Sequence, residues 1–381
     1  MKRRQICIVT AAEITVKAFL VDHLKALSKQ YEISVVTNTN NVDFLKPFGL
    51  RVNIVPVFIE RAISPMRDIR ALLRLVFLFR KHRFEAVHSV TPKAGLLSMV
   101  AAFLVRIPLR IHTFTGQFWV NHKGIARWCL KTADKTIAYC ATHVLVDSHS
   151  QRNFLIKEKV VSESKSYVIA NGSICGVDTK RFAPSLEARR KVREELSFAE
   201  SDIVFLFLGR LTVDKGLLDL AHAFKEISSA HEGSHILLVG PDEENVKERI
   251  LEICKGCERR VHFKDFTDSP EEFMAAADVF CLPSYREGFG MAIIEAASAG
   301  VPAIGTDIYG ITDAIEEGVT GLLYPPRDVH MFVLQMLKMI ENPTERKTMG
   351  EKARERVIRL FSQEKVTSAF VGFYKSVLPQ G

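Results

Sequence analysis

Short apolar runs alternate with longer helical stretches along the whole of this chain, and they do so in two successive series. In the first half, 6–10 (ICIVT), 33–37 (ISVVT), 86–89 and 110–114 read as buried strands, with helical patterns such as 17–27 and 66–83 between them. In the second half, strands are expected at 204–208, 236–239, 279–282 and 303–306, and helices at 217–229, 246–255, 291–299 and 330–341. Strands joined through helices pair parallel, with helices covering both faces of the sheet. Two such series in 381 residues imply two doubly wound α/β domains. The expected division is a first domain over 1–183, a polar linker over 184–202, a second domain over 203–360, and a helix over 361–381 that packs back on the first domain. Ligands of open parallel sheets collect beyond the carboxyl ends of the strands, so chemistry is expected in the loops that follow them.

Composition narrows the function classes. An apolar fraction of 47% and a charged fraction of 25% exclude disordered and fibrous classes. The longest uncharged apolar stretch, 94–105, is far short of the roughly 20 residues of a spanning helix. The basic start MKRR precedes an apolar run too short for a secretory signal, so the expected compartment is the cytoplasm. The 7 cysteines show no disulfide rhythm, and the lone Cys254-x-x-Cys257 pair reads as two structural thiols, with no zinc expected.

Charge is divided unevenly. Residues 1–183 carry 28 Lys and Arg against 12 Asp and Glu, whereas the remainder carries 24 against 32. The first domain therefore expects an anionic partner: nucleic acid, a phosphorylated substrate or a membrane surface. Nucleic acid is not expected, because no helix-turn-helix, zinc finger or aromatic-basic platform accompanies the charge. The segment 64–83 reads as a helix with Arg67, Arg70, Arg74 and Lys81 along one stripe. Two readings stay open for it: a helix lying on an anionic bilayer, or a domain helix with a solvated basic face.

Two post-strand loops carry the candidate chemistry. After VFLFL come Gly209, Arg210 and then Lys215, two cations suited to a diphosphate, although solvated surface charges would look the same. After the strand at 279–282 comes REGFGMAIIE, in which Glu287 precedes Gly288 and Gly290 at an expected helix start near Met291. A helix start offers free N–H groups to an anion, and glycines let a ligand approach them closely. Glu287 can accept from hydroxyls of a group held there. Glu295, one turn inside the helix, suits a vicinal diol. By spacing alone the favoured reading of these two glutamates is as surface residues of an amphipathic helix. In the first half, HSVTPKAG brings His88, Thr91 and Lys93 to a strand end, with Lys93 a candidate acceptor-phosphate contact or an incidental lysine at a helix start.

The stretch PSYREGFGMAIIEAASAGVPAIGTDIYGITDAIEEGVTGLL closely resembles the signature of the retaining glycosyltransferases of family 4, which have the GT-B fold. Its elements are Pro283-Ser284, Glu287 to Gly290, Glu295, Gly300-Val301-Pro302 and Gly318 to Gly321. GRLTVDKG matches the family's second element, and NGSICGVDTKRF at 171–182 is a weaker match. The resemblance implies two Rossmann-like domains facing across a cleft. Arg210 and Lys215 would hold the diphosphate of a nucleotide-sugar donor, and Glu295 its ribose. Glu287 with the backbone of Gly288, Phe289, Gly290 and Met291 would hold the donor sugar, and Gly209 completes the donor set. Arg210, Lys215 and Glu287 would be the catalytic groups.

The first half departs from the family pattern. Thr10-Ala11-Ala12-Glu13 stands where relatives carry Gly-Gly, and Thr115 in TFTGQ stands where they often carry histidine; Thr115, Gly116 and Gln117 are kept as acceptor-side candidates, with His112 or Gln117 as the possible substitute. Asp313 stands where relatives often have glutamate. No Asp-x-Asp triplet occurs, so leaving-group charge is expected to be met by cations and a helix start, without metal or cofactor. The expected function is a retaining, metal-independent glycosyltransferase acting on a glycan or lipid-linked acceptor in bacterial polysaccharide assembly. A sugar-nucleotide epimerase of the same architecture and a non-catalytic nucleotide-sugar-binding module are the alternatives.

Overall fold

The computed structural model describes residues 3–60 and 64–378. The first two residues of the basic start and the last three positions of the expected 361–381 helix lie outside the described residues. The chain forms two compact units: Met1–Gly176 with Gln363–Gly381, and Val177–Ser362.

The first unit is built on a parallel sheet of seven strands: β1 (Gln5–Val9), β2 (Glu32–Thr37), β3 (Asn53–Pro56), β4 (Ala86–Val90), β5 (Leu109–Phe114), β6 (His143–Val146) and β7 (Ser166–Val168), in the order β3-β2-β1-β4-β5-β6-β7. The four strands read from sequence are present to within a residue or so. β3, β6 and β7 were not read from the sequence. Successive side chains of a strand point to opposite faces. Cys7 and Val9 accordingly join one core with Val36, Val87, Leu75 and Phe79. Ile6 and Ile8 join the opposite core with Ile33, Val35, Phe370 and Tyr374. Burial on both faces is why these strands read as continuous apolar runs. The single helix expected over 17–27 is two helices, Glu13–Phe19 and Val21–Leu27, meeting at Leu20.

The C-terminal helix Gln363–Val377 belongs to this unit and packs on the Val21–Leu27 helix. Its Phe370 ring stacks on His23 at 4.1 Å, and Thr367 meets His23 Nδ1 at 3.0 Å. His88 Nδ1 lies 2.7 Å from the Tyr374 hydroxyl, and its Nε2 lies 2.8 Å from Thr113 Oγ1. His88, expected as an acceptor-side residue, is therefore a core histidine, 1% exposed. Its ring points from mid-strand into the sheet face covered by the C-terminal helix.

The second unit repeats the plan with β8 (Ile203–Leu208), β9 (Ser234–Val239), β10 (Val261–Lys264), β11 (Val279–Leu282), β12 (Ala303–Thr306) and β13 (Gly321–Tyr324), in the order β10-β9-β8-β11-β12-β13. All strands are parallel, and strand order reverses between β8 and β11. The expected linker over 184–202 is part of this unit. It contains the helix Leu186–Glu195, whose start is capped by Ser185 and which packs on the helix Pro270–Ala276. Two of its arginines are used within the fold. Arg193, 2% exposed, donates to the Ala276 carbonyl at 3.1 Å and to Asp278 at 3.2 Å, and Arg189 donates to the same carboxylate at 3.0 Å.

Burial pushes the imidazole of His23 down to about 4 and that of His88 down to about 3. An unfolded histidine titrates near ~6.5, so as pH falls below that value the unfolded chain takes up protons that the folded chain refuses. The stability of the neutral rings is complete above pH ~6.5 and declines by about 1.4 kcal/mol per pH unit per histidine as pH falls toward the folded values. Urea unfolding followed at pH 7 and pH 5 should show this loss. Replacing His23 and His88 with Gln should flatten the pH dependence while lowering stability at pH 7.

Candidate active site

The reversal of strand order between β8 and β11 opens a crevice beyond their carboxyl ends, the usual ligand position in such sheets. Both sequence elements singled out for chemistry emerge there. Gly209 and Arg210 follow β8 directly, and Val213–Lys215 forms a single turn of 3-10 helix. Gly216 then takes a left-handed conformation with φ of 68° and opens the helix Leu217–Ser228. A side chain at 216 would place its Cβ 2.0 Å from the Pro283 carbonyl oxygen, so only glycine lets this turn lie against the loop after β11.

Three consecutive residues of the second loop pair with the first loop or with the helix that follows it. The Tyr285 hydroxyl donates to Asp219 at 2.8 Å, and Arg286 donates to Asp214 at 3.0 Å. Lys215 Nζ donates to Glu287 Oε1 at 2.5 Å. The Tyr285 N–H also donates to the Asp214 carbonyl at 3.0 Å, and the Arg327 guanidinium covers the Tyr285 ring at 4.4 Å. The loops are thus held in one register across the crevice. Arg210 is matched separately by Glu243 from the loop after β9, at 2.7 Å, and both side chains are exposed.

Beyond Glu287, Gly288, Phe289 and Gly290 lead into the helix Met291–Ser298. Phe289 is 2% exposed and its ring packs on Phe361, so this residue anchors the loop through its side chain. Gly290 has φ of 72° and no side chain caps the helix start. A helix start is in general the end of a helix that favours an anion. Glu295 lies one turn further along, half-buried. Burial pushes its carboxyl up to about 7, the nearby Arg181 guanidinium opposes that rise, and Glu271 adds to it. Arg181 is itself held by Glu271 at 2.9 Å and by the Asp268 carbonyl at 2.6 Å.

Sequence reasoning did not assign Arg181, Tyr285, Arg286, Asp214, Asp219 or Glu243 to the site. The signal for Tyr285 and Arg286 was their position beside Glu287. Asp214, Asp219 and Glu243 carry no local signal, because their partners lie 33 to 72 positions away.

In the first unit, the acceptor-side candidates are dispersed by their partners. Lys93, in the first turn of the helix Pro92–Val105, is bound by Asp68 at 2.7 Å, so its charge is already matched. His112 packs its ring against Gly95 and meets Ser89 Oγ at 2.8 Å; burial pushes it down to about 3, which makes it a neutral core residue. Thr115, Gly116 and Gln117 follow β5. Thr115 is half-buried, Gly116 has φ of 123°, and Gln117 is fully buried with its carbonyl accepting from Gln151 at 3.3 Å. Of the two proposed substitutes for the family histidine, His112 is thereby removed. Among the described residues, no three His, Cys, Asp or Glu side chains are grouped to hold a metal ion.

Residues 188–356 match the sequence family "Glycosyl transferases group 1", and residues 16–181 match "Glycosyltransferase Family 4". The capsular polysaccharide biosynthesis glycosyltransferase CapM of Staphylococcus aureus is 28% identical over 94% of this chain and 97% of its own length. The Escherichia coli UDP-Gal:alpha-D-GlcNAc-diphosphoundecaprenol alpha-1,3-galactosyltransferase is 26% identical over 88% of this chain and 86% of its own. In three dimensions the chain resembles Anabaena HepE, solved with UDP and glucose, at a TM-score of 0.82 and 18% identity over 98% of this chain and 100% of that one. Two parallel-sheet Rossmann-like units, matched families across both halves and full-length relatives lead to one conclusion: the chain is a glycosyltransferase and belongs to the GT-B glycosyltransferases, with a family 4 first half and a group 1 second half.

Proposed function

We propose that the enzyme is a retaining, metal-independent transferase that moves a sugar from a UDP-sugar to a lipid-linked glycan acceptor during assembly of a bacterial surface polysaccharide. The observation that carries this reading is the Lys215–Glu287 pair beside the helix that starts after Gly290, at the reversal point of the second sheet. It gathers a cation, an anion-binding backbone and a hydroxyl acceptor into one locale. Relatives support the donor and acceptor classes, since the E. coli enzyme's name specifies UDP-Gal and a diphosphoundecaprenol-linked acceptor. Cytoplasmic work at the inner face of the membrane follows from a lipid-linked acceptor and from the basic charge of residues 1–183.

In this reading Arg210, Lys215 and the positive end of the helix that starts after Gly290 receive the diphosphate, and Glu295 accepts from the ribose diol. Glu287 and the backbone at Gly288 and Phe289 orient the sugar; Gly209 leaves room for the diphosphate. The bond from sugar C1 to the diphosphate oxygen breaks and a bond from C1 to the acceptor oxygen forms on the same face. The acceptor hydroxyl proton passes to the departing diphosphate. Negative charge grows on the leaving group, where fixed cations and helix N–H groups stabilise it most. When the donor arrives, the Lys215 ammonium is shared between Glu287 and phosphate. That exchange lets one cation serve both the resting loop register and the reaction.

Removing one preorganised donor group typically costs about 3 kcal/mol of transition-state stabilisation. Lys215→Ala should therefore lower kcat by about two orders of magnitude with an unchanged unfolding midpoint, and Arg210→Ala should lower it as well. Wild-type turnover in both variants would end the assignment. Interconversion of the donor sugar with no acceptor present would instead favour an epimerase.

Since a carboxylate accepts diol hydrogen bonds better than a carboxylic acid, UDP affinity measured by calorimetry should rise between pH 6 and pH 8. The slope should vanish in Glu295→Gln. Arg286 is a positioning residue, acting through Asp214 and the loop register. Arg286→Ala should reduce kcat about 10- to 100-fold while UDP affinity changes little. Arg286→Ala combined with Asp214→Asn should cost no more than the single change.

A further inference from the structure

The helix Pro65–His82 buries Ala71, Leu75 and Phe79 and packs on the helix Pro92–Val105. Spacing by four turns the other side of the helix outward, and that side is not polar. Met66, Ile69, Leu73 and Phe77 form one continuous outward stripe, 70%, 57%, 62% and 71% exposed. The helix Gly124–Cys140 packs on the same Pro92–Val105 helix from its other neighbouring position. It presents Ile125, Trp128, Lys135 and Tyr139 on a single outward line, with Ile125 81% exposed and Trp128 68% exposed. Scattered single apolar residues on a surface need no explanation, but an apolar stripe on each of the two helices that flank Pro92–Val105 does.

Charge decides what covers them. Arg70, Arg74, Arg80 and Lys81 are exposed beside the first stripe and have no acidic partner among the described residues. In the second, Lys123 is exposed just before the helix and Lys135 is exposed within the outward line. The single acid of each helix is withdrawn from the surface. Asp68 binds Lys93 at 2.7 Å, and Asp134 is buried, accepting from Trp119 Nε1 at 2.8 Å. A protein partner of mixed charge would find nothing to answer its own lysines and arginines. Outward apolar side chains with cations beside and among them, and no outward acid on either helix, suit an anionic bilayer, with the rings among the acyl chains and the cations at the phosphates. No described helix is long and apolar enough to cross a membrane, so these helices would lie on the surface.

We infer that the first unit docks on anionic lipid through the paired stripes of the Pro65–His82 and Gly124–Cys140 helices, with Leu73, Phe77 and Trp128 as the inserting side chains. The inference deepens the proposed function and rests on it only for the location of the acceptor. It also reassigns the first helix: the arginines read from sequence as the binding stripe flank the contact, and the apolar stripe between them makes it.

The test is flotation of the full chain with phosphatidylglycerol–phosphatidylethanolamine vesicles and with phosphatidylcholine vesicles, at low and high salt. Wild type should float with the anionic vesicles, less so at high salt, and only weakly with phosphatidylcholine. Leu73→Gln with Phe77→Gln should reduce binding about tenfold or more, as should Arg70→Glu with Arg74→Glu. Both variants should keep the wild-type unfolding midpoint and the wild-type rate of UDP release from UDP-galactose or UDP-glucose in detergent. Unchanged binding in both variants, or equal binding to neutral vesicles, overturns the inference. So does a wild-type dimer in sedimentation that Leu73→Gln with Phe77→Gln splits, since the stripe would then face a second copy of the chain. If wild type floats but transfers no sugar from any UDP donor, the proposed function fails and the docking surface stands; transfer without flotation removes the surface alone.

Discussion

Everything in the second unit that concerns a ligand depends on two loops being held at a fixed offset where the strand order reverses. Gly216 permits the contact, because a Cβ there would overlap the Pro283 carbonyl. Tyr285, Arg286 and Glu287 then fasten it through Asp219, Asp214 and Lys215. No single pair on a half-exposed surface is worth much in stability. Their joint effect is geometric: with three partners in sequence, the loop after β11 cannot slide by one residue without losing all of them. Catalytic groups have to sit within a fraction of an ångström of their working positions, and this is how a chain can meet that demand using loops.

The same locale shows how a resting site stores charge. Lys215 and Glu287 neutralise each other, as do Arg210 and Glu243, so the crevice need not carry bare charges before a ligand comes. Glu295 is handled differently. It is set among apolar neighbours where ionisation is costly, and only the Arg181 guanidinium opposes the rise in its pKa. An acid poised in this way responds strongly to whatever hydroxyl groups are brought against it.

Much of this was legible in the sequence. The central strands are apolar on both faces and could be read to within a residue or so, and EGFG followed by a helix located the crevice loop. The short strands β3, β6, β7, β10 and β13 were not read; the edge strands β3, β7 and β10 carry exposed or half-buried positions that break the apolar run. The segment 184–202 looked like a linker because it is rich in charge, yet Arg189 and Arg193 spend that charge on Asp278 and backbone carbonyls inside the unit. Composition cannot distinguish a solvated arginine from a buried, paired one.

By itself, then, the sequence determined the two parallel-sheet units, through its alternation of strand and helix, and the place of the ligand loop, through its glycines and flanking acids. Both are local properties, set by backbone geometry within a few residues. The tertiary structure alone decided which polar side chains are available. His88 is claimed by Tyr374, 286 positions away, and Lys93 by Asp68 on a neighbouring helix. The apolar stripe of Pro65–His82 was likewise sorted into a buried and an exposed side only by the helix it packs on. Partners far apart along the chain leave no trace in local pattern, and it is their pairing that separates a core residue from a functional one.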